Sequence, residues 1–423
     1  MDSNKVQDAH SWLDDNQNII ISFLQNLIRI PTFNPPGDNY DLVADLVKNE
    51  MENSGCKTKL FEAPENYVEL CGKSKLGLDS SRINVVGYAG NDDGSPTLVF
   101  NSHSDVVPIS SGWTVDPVGG EIKDGKIYGR GAADNKSGIV SIIAAFRALH
   151  EMKIDLKGQA LLTSTVDEEL GGFSGLKYLV DKNIVKGNLG ISADSRIGQI
   201  TNALNGRLRW RVTSHGKSVH SSMANLGINA IEKMSSLVLS LQSHSLDLQK
   251  RYSTIPAPPA SMSKFLRPIA SVGTINGGIK DNIVPDHCYI DLDRRVTPEE
   301  NINDARDELS SIINDTMHNV PDANYESIEL SFREPCLTSA NHPFLLKSKS
   351  IAEETLGHDV PIYGSTGSSD MQYMINDCNM PSFGFGPIRP DCNVHGIDEF
   401  VYIEDVISTA KVYSSIIIDT LTD

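Results

Sequence analysis

No Cys-x-x-Cys pair occurs in this chain, whose six cysteines (Cys56, Cys71, Cys288, Cys336, Cys378 and Cys392) are scattered along its length. That spacing suggests neither a thiolate zinc site nor a disulfide framework, and a reducing cytoplasm is the expected compartment. Positive charge is also scarce. Lys and Arg number 37 against 55 Asp and Glu, a formal net charge of −18, which disfavours nucleic acid or an anionic membrane surface as partner. No apolar run approaches the ~20 residues of a membrane span, and the N-terminal stretch MDSNKVQDAHSWLDDNQN lacks a basic start followed by an apolar segment. A soluble protein that is not secreted is expected. A Gly-x-Ser-x-Gly elbow is missing too, which weakens a serine hydrolase, and there is no internal repeat or low-complexity tract.

What is present is enough apolar sequence for a globular protein and, at 423 residues, too much chain for one ordinary core, so two domains are expected. Ile20, Phe23, Leu24, Leu27 and Ile28 fall at helical spacing before Pro31, and Val43, Leu46, Val47 and Met51 mark a second helix closed near Gly55. The period then changes. KTKLFEA, INVVGYAG and TLVFNSH read as strands, the last two continuous enough to be buried on both faces of a sheet. A hairpin over Asp124-Gly125, a helix over 137–149, and strands at GQALLTSTV and NLGISADS follow, an alternation that argues an α/β layer fold with a central, mostly parallel sheet flanked by helices.

From about Arg207 the order restarts as strand, helix, strand, strand, helix, strand, the split βαβ (ferredoxin-like) arrangement, inserted as a unit into the first domain. The expected division is 1–205 and 330–423 for the first domain and 206–329 for the insert. A Pro- and Ser-rich stretch, STIPAPPASMSKFLRP, interrupts the insert as a surface segment, either a lid over a site or merely an insertion. Helices at 343–356 and 403–421 complete the first domain.

The residues that carry chemistry sit where these strands end. His103 and Asp105 close TLVFNSHSD, and in extended chain positions i and i+2 face the same way, so Asp105 can fix one ring nitrogen of His103 and turn the other toward a metal. A hydrogen-bonded structural pair is the plainer alternative. Asp134 lies in GRGAAD, which nearly matches a dinucleotide fingerprint but has an acid where the third Gly would pack a helix, and this rejects dinucleotide binding. It is a metal ligand or a helix cap. Glu168 and Glu169 follow LLTSTVD, and near a bound cation one of two adjacent carboxylates can be a ligand while the other takes protons; otherwise they are solvated loop charges. Asp194 ends another strand, and His395 lies late in the chain in NVHGIDEF.

This ordered set of His, Asp, Glu-Glu, Asp and His resembles the aminoacylase/carboxypeptidase family of co-catalytic zinc hydrolases, the M20-type peptidases that include acetylornithine deacetylase and succinyl-diaminopimelate desuccinylase. The matching stretches span nearly the whole chain: NSHSDVVP, GRGAADNKSG, VDEELGG, SADS, GKSVHSSMANLGINAI, GGIKDNIVPDHCYIDLDRRVTPEE, GSTGSSDM, and FGFGP through HGIDEF.

The resemblance implies two Zn²⁺ per chain, with Co²⁺ or Mn²⁺ as substitutes. Asp134 would bridge them, His103 and Asp194 completing one site and Glu169 and His395 the other. Glu168 becomes the general base and Asp105 the partner of His103. For substrate it implies an N-acyl amino acid or short peptide, held by Arg294 or Arg295, Asn282, Gly367 and Ser368; neighbouring arginines on a strand face opposite ways, so only one of them grips the carboxylate. GSTGSSD departs from the GGTSD-like form of the desuccinylases, which puts that particular substrate in question. It further implies a homodimer through the inserted domain, in which His220 enters the partner's site. Deacylase, dipeptidase and carboxypeptidase all remain open at this point, and so does a non-catalytic binding protein on the same scaffold, although such a protein has no need of a base beside the ligand Glu169.

Overall fold

A computed structural model describes residues 2–91 and 96–422. The chain divides into two compact units, one of Met1–Asn202, Thr338–Ile362 and Ser369–Asp423, the other of Ala203–Leu337 and Tyr363–Ser368. The first change of unit thus falls three residues before the expected boundary at 205/206, and the return falls eight residues after 329/330. The GSTGSSD loop is itself divided, its first part grouping with the smaller unit.

The larger unit is built on a mixed sheet. Its strands run in the order Lys57–Glu62, Ile83–Gly90, Gln159–Thr165, Thr97–His103, Leu189–Ser192 and Ser382–Gly384, with residues 200–202 beside the last. The expected parallel pairing occupies the centre, where Thr97–His103 lies between Gln159–Thr165 and Leu189–Ser192. Toward both edges the pairing turns antiparallel. The central strands are apolar throughout because both faces are covered, and Leu98, Val99, Phe100, Leu161 and Leu162 are all buried.

The helix Ser137–Glu151 is buried on nearly every side, which its sequence SGIVSIIAAFRALHE anticipates: it is apolar around its circumference. Ile403–Leu421 and Pro343–Leu356 form with the bounds expected of them. The first helix, Gln17–Ile28, is preceded by a helix not anticipated, Ser3–Asp15, which buries only Ala9 and Leu13 and so has a thin apolar stripe; Asp2 caps it by accepting from the backbone N–H of Asn4 and Lys5.

The smaller unit contains a four-stranded antiparallel sheet in the order Ile269–Gly277, His287–Val296, Gly206–His215, Tyr325–Arg333. With helices Ala230–Leu248 and Ile302–Asn319 this is the split βαβ topology, its core formed by Val212, Ile290 and Leu292 against Met234, Leu237, Leu241, Leu309 and Ile313. Strict alternation along His287–Val296 sends Cys288, Ile290, Leu292, Arg294 and Val296 inward. Among the described residues no helix is long and apolar enough to cross a membrane.

Candidate metal centre

Three adjacent parallel strands deliver their carboxyl ends to one place in the larger unit. His103 ends Thr97–His103 opposite Thr165 of the neighbouring strand, Glu168 and Glu169 follow that strand by one turn, and Asp194 follows Leu189–Ser192 on the other side. Carboxyl ends of parallel strands are where open α/β sheets gather ligands. Asp134 arrives from the segment Ala132–Lys136 that enters the helix Ser137–Glu151, and its backbone (φ −119°, ψ 93°) departs from helical geometry. The turn before it needs Gly131, at φ +83°, where a Cβ would lie 2.5 Å from Val106 Cγ1. His395, at φ +62°, comes from the loop before the strand Phe400–Tyr402.

These side chains form two donor sets that share one residue. His103, Asp134 and Asp194 make the first, and Asp134, Glu169 and His395 the second, with the donor atoms of each set within 4.8 Å of one another. Asp134 points its two oxygens at different histidines: Oδ1 lies 3.0 Å from His103 Nε2 and Oδ2 3.2 Å from His395 Nε2. His395 Nε2 is also 3.1 Å from Glu169 Oε1.

What holds Asp134 is not legible in the sequence. Glu399 accepts the backbone N–H of both Ala133 and Asp134 on Oε1, at 3.0 and 3.1 Å, while its Oε2 receives Arg130 Nη1. The other arm of Arg130, Nη2, donates to the carbonyls of His395 and Gly396, so one buried ion pair fixes both the shared carboxylate and the late histidine. Both residues stand inside motifs noted above, GRGAAD and HGIDEF, but nothing in their spacing tells that they meet.

Asp105 faces both His103 and the turn that carries the two glutamates. The nearer acceptor for His103 Nδ1 is the main-chain carbonyl of Asp105 at 3.0 Å, with the carboxylate at 3.5 Å. That carboxylate also accepts the backbone N–H of Glu168 on Oδ1 and of Glu169 on Oδ2, both at 3.2 Å, and Asn34 Nδ2 at 2.9 Å. Asn34 Nδ2 also donates to Asp167, whose carboxylate further receives Tyr40 Oη, Arg82 Nε and the Ser174 hydroxyl. Asp167 itself sits at φ +61°, and this buried network holds it there, immediately before the two glutamates.

The centre gathers more negative charge than its own residues neutralise. Burial drives the carboxyl of Glu168 well above its ordinary range, with Asp370, Asp194 and Glu169 adding repulsion, and pushes that of Asp194 up to about 7. Among the described residues neither side chain has a hydrogen-bond or ion-pair partner. Asp134 behaves oppositely: burial pushes it up, but hydrogen bonds from His103 and His395 outweigh that and hold it below the usual carboxylate range. The same contacts with Asp134 and Glu169 raise His395 to about 10. Carboxylates packed together without cationic partners, beside two imidazoles, suit divalent ions: each triad supplies three N or O donors and leaves a coordination position open.

The remaining residues singled out from sequence lie in the smaller unit. Arg294 is fully buried, pairs with Glu300 at 2.7 Å and lies 3.7 Å from Glu308, which corrects its candidacy as a substrate contact: the strand's alternation spends it on the core. Arg295 faces the other way and donates from Nη1 to the carbonyl of Thr366 at 3.3 Å, beside Gly367 and Ser368. The Gly367 N–H donates to Ser365 Oγ. His220 is exposed and pairs in a short bridge with Ile283, while the Asn282 carbonyl accepts from Ser221 N, so His220 and Asn282 are neighbours. The Ser222 N–H donates to His220 Nδ1, which leaves the ring's proton on Nε2 in the neutral form.

Overlapping His and carboxylate triads at the ends of parallel strands describe a class, the hydrolases whose catalytic centre is built at the carboxyl edge of an α/β sheet. Within it, residues 99–419 match the model of peptidase family M20/M25/M40, and the chain belongs to that family, as its motifs led us to expect. It is a hydrolase acting on amide or peptide bonds. Among curated proteins it is 28% identical over 399 residues to a probable succinyl-diaminopimelate desuccinylase of Staphylococcus aureus, covering 86% of this chain and 93% of that one. Among solved structures it is similar to an M20 family metallo-carboxypeptidase from Sulfolobus solfataricus, with TM-score 0.77, 20% identity, and 94% and 98% of the two chains covered. A dinuclear metal binding peptidase of the M20 family from Bacillus subtilis matches with TM-score 0.68 and 14% identity over 97% of this chain and 100% of that one.

Proposed function

We propose that this protein is a dinuclear metal-dependent amidohydrolase that frees an amino acid from an N-acyl amino acid or short peptide, with Glu168 as its general base. The observation that carries the reading is the carboxylate of Asp134, aimed through separate oxygens at two histidines of two donor triads. His103, Asp134 and Asp194 would hold one ion and Asp134, Glu169 and His395 the other. Zinc suits these N and O donors, and cobalt or manganese would substitute. A pair of such ions, when bound, polarises the scissile carbonyl and acidifies an attacking water.

The chain's own residues do the rest. Glu168, unpartnered and adjacent to Glu169, takes the proton of the attacking water and returns it to the leaving amine, a transfer that suits a carboxyl whose proton affinity burial has raised. Asp105 holds the backbone of both glutamates, and the Arg130–Glu399 pair holds Asp134 and His395. Arg295 is the remaining candidate to grip the α-carboxylate, with Asn282, Gly367 and Ser368 offering hydrogen bonds.

A homodimer through the smaller unit belongs to this reading, supported by the edge strand Ile269–Gly277 with its exposed Ile275 and by Leu239 and Leu246, exposed on the helix Ala230–Leu248. His220 would then stabilise the tetrahedral oxyanion in the partner's site. A carboxypeptidase or dipeptidase is the second reading, favoured by the likeness in fold to the metallo-carboxypeptidase. A panel of N-acyl amino acids, dipeptides and C-terminally extended peptides, assayed with zinc or cobalt supplied, separates the two. Release of an amino acid from at least one N-acyl amino acid is expected, and hydrolysis of peptides alone would replace the first reading with the second.

A further inference from the structure

The segment Ser253–Pro268, read from sequence as a lid or a mere insertion, is an ordered hairpin within the smaller unit. Ser253 N donates to Leu266 O, Leu266 N to Ile255 O and Ala257 N to Lys264 O, and Ile255, Ala257 and Leu266 bury their side chains with Ala203. Between this hairpin, the end of the helix Ala230–Leu248 and the strand Ile269–Gly277 lies a cleft of about 270 Å³. Ala257, Phe265 and Ile269 give it apolar walls, and Gln249, Arg267 and Thr366 line it with polar groups.

Arg267 is the unusual member. Its guanidinium lies over the ring of Tyr252, 4.4 Å from the centroid, which fixes its plane. Its Nε is buried without a hydrogen-bond partner, and among the described residues no acid pairs with it. In a chain of net charge −18, a half-buried arginine with no carboxylate beside it is ready to accept an anion.

The cleft also adjoins Arg295 by two links. Ile269, on its wall, is the cross-strand partner of Arg295, and Thr366, also on its wall, accepts from Arg295 Nη1. With Arg295 as the α-carboxylate anchor, the space next to it receives the side chain of the amino acid being released. We infer that this cleft is a side-chain subsite selecting amides of amino acids that bear a second carboxylate, read by Arg267, with the apolar walls packing on a short methylene stem. The inference rests on the proposed function for the placement of the α-carboxylate. A space of 270 Å³, against about 30 Å³ for a water molecule, accommodates a glutamate-sized chain.

Two arms test it on the full-length, metal-loaded protein. In the binding arm, calorimetry with L-glutamate and L-glutamine as probes should give at least tenfold tighter binding of glutamate to the wild type; Arg267→Gln should abolish that difference and Arg267→Lys restore part of it. In the kinetic arm, N-acetyl-L-glutamate should exceed N-acetyl-L-glutamine at least tenfold in kcat/KM. Arg267→Gln should bring the ratio toward one through KM rather than kcat. Equal binding of the two probes by the wild type, no binding of glutamate, or a preference that survives Arg267→Gln would overturn the subsite. Glutamate-selective binding that depends on Arg267, without hydrolysis of any amide, would sustain the subsite and instead overturn the amidohydrolase reading.

Discussion

The backbone N–H of Glu168 donates to Asp105 Oδ1 at 3.2 Å, across 63 positions of sequence. The acid two residues after His103 therefore holds the turn that presents Glu168, the proposed base, while its carboxylate also lies 3.5 Å from the histidine ring. Removing it should loosen Glu168 and Glu169 together. Asp105→Ala is expected to lower kcat by about 10–100-fold and weaken metal affinity to a similar degree, checked by steady-state kinetics and competitive chelator titration. Unchanged kcat with intact metal binding would contradict the assignment.

Arg82 and Asp167 form an ion pair with both side chains inaccessible to solvent. Arg82→Met leaves Asp167 buried without its countercharge, and breaking one side of such a pair costs about 3–5 kcal/mol. A fall of that size in unfolding free energy from denaturant titration, at a metal concentration held equal for both proteins, is expected. A change below 1 kcal/mol would remove this pair from the account of how the glutamate turn is held.

The regular core was legible in the sequence and the supports of the site were not, for a physical reason. Periodicity and runs of apolar residues report burial, so the strands Thr97–His103 and Gln159–Thr165 and the helix Ile403–Leu421 could be read directly. The donors His103, Asp134, Glu169, Asp194 and His395 could be listed because each follows a strand or falls in a motif. The strands Ile200–Leu204, Cys336–Leu337 and Ile362–Ser365 escaped because they are short and without alternation. Asn34, Arg82, Arg130 and Glu399 escaped because a buried polar residue is placed by tertiary contacts, here between side chains 71 (Asn34–Asp105) to 269 (Arg130–Glu399) positions apart, which no local pattern records. Arg294 and Arg295 were indistinguishable until the strand's register fixed which one faces the core.

Metal binding should be proton-linked. Without metal, Asp134 and Glu169 hold His395 protonated up to about pH 10, whereas a ligating imidazole must be bare. Binding at pH 7 therefore expels at least this proton, and affinity should rise with pH, about tenfold per unit for each proton released, and fall on acidification. Calorimetry in two buffers of different ionisation enthalpy measures the release. Zinc binding with no proton release at pH 7 would contradict it.

His220 is to be tested by subunit exchange. Glu168→Ala and His220→Ala chains, each nearly inactive alone, should regain activity in about one of the two sites of a mixed dimer if the histidine serves the partner's site. Continued inactivity despite proven exchange would place it within its own chain or outside the reaction.

The central claim is a pair of metal sites bridged by Asp134 with Glu168 beside them as base. The most direct measurement is zinc titration of the chelator-stripped protein, following bound metal and amide hydrolysis together, for wild type, Asp134→Ala and Glu168→Ala. Two tightly held ions are expected in the wild type, with activity restored as they bind. Asp134→Ala should lose both metal and activity. Glu168→Ala should keep two ions while turnover falls by about 10²–10⁴-fold. Full activity in strong chelator, or wild-type turnover in Glu168→Ala, would contradict it.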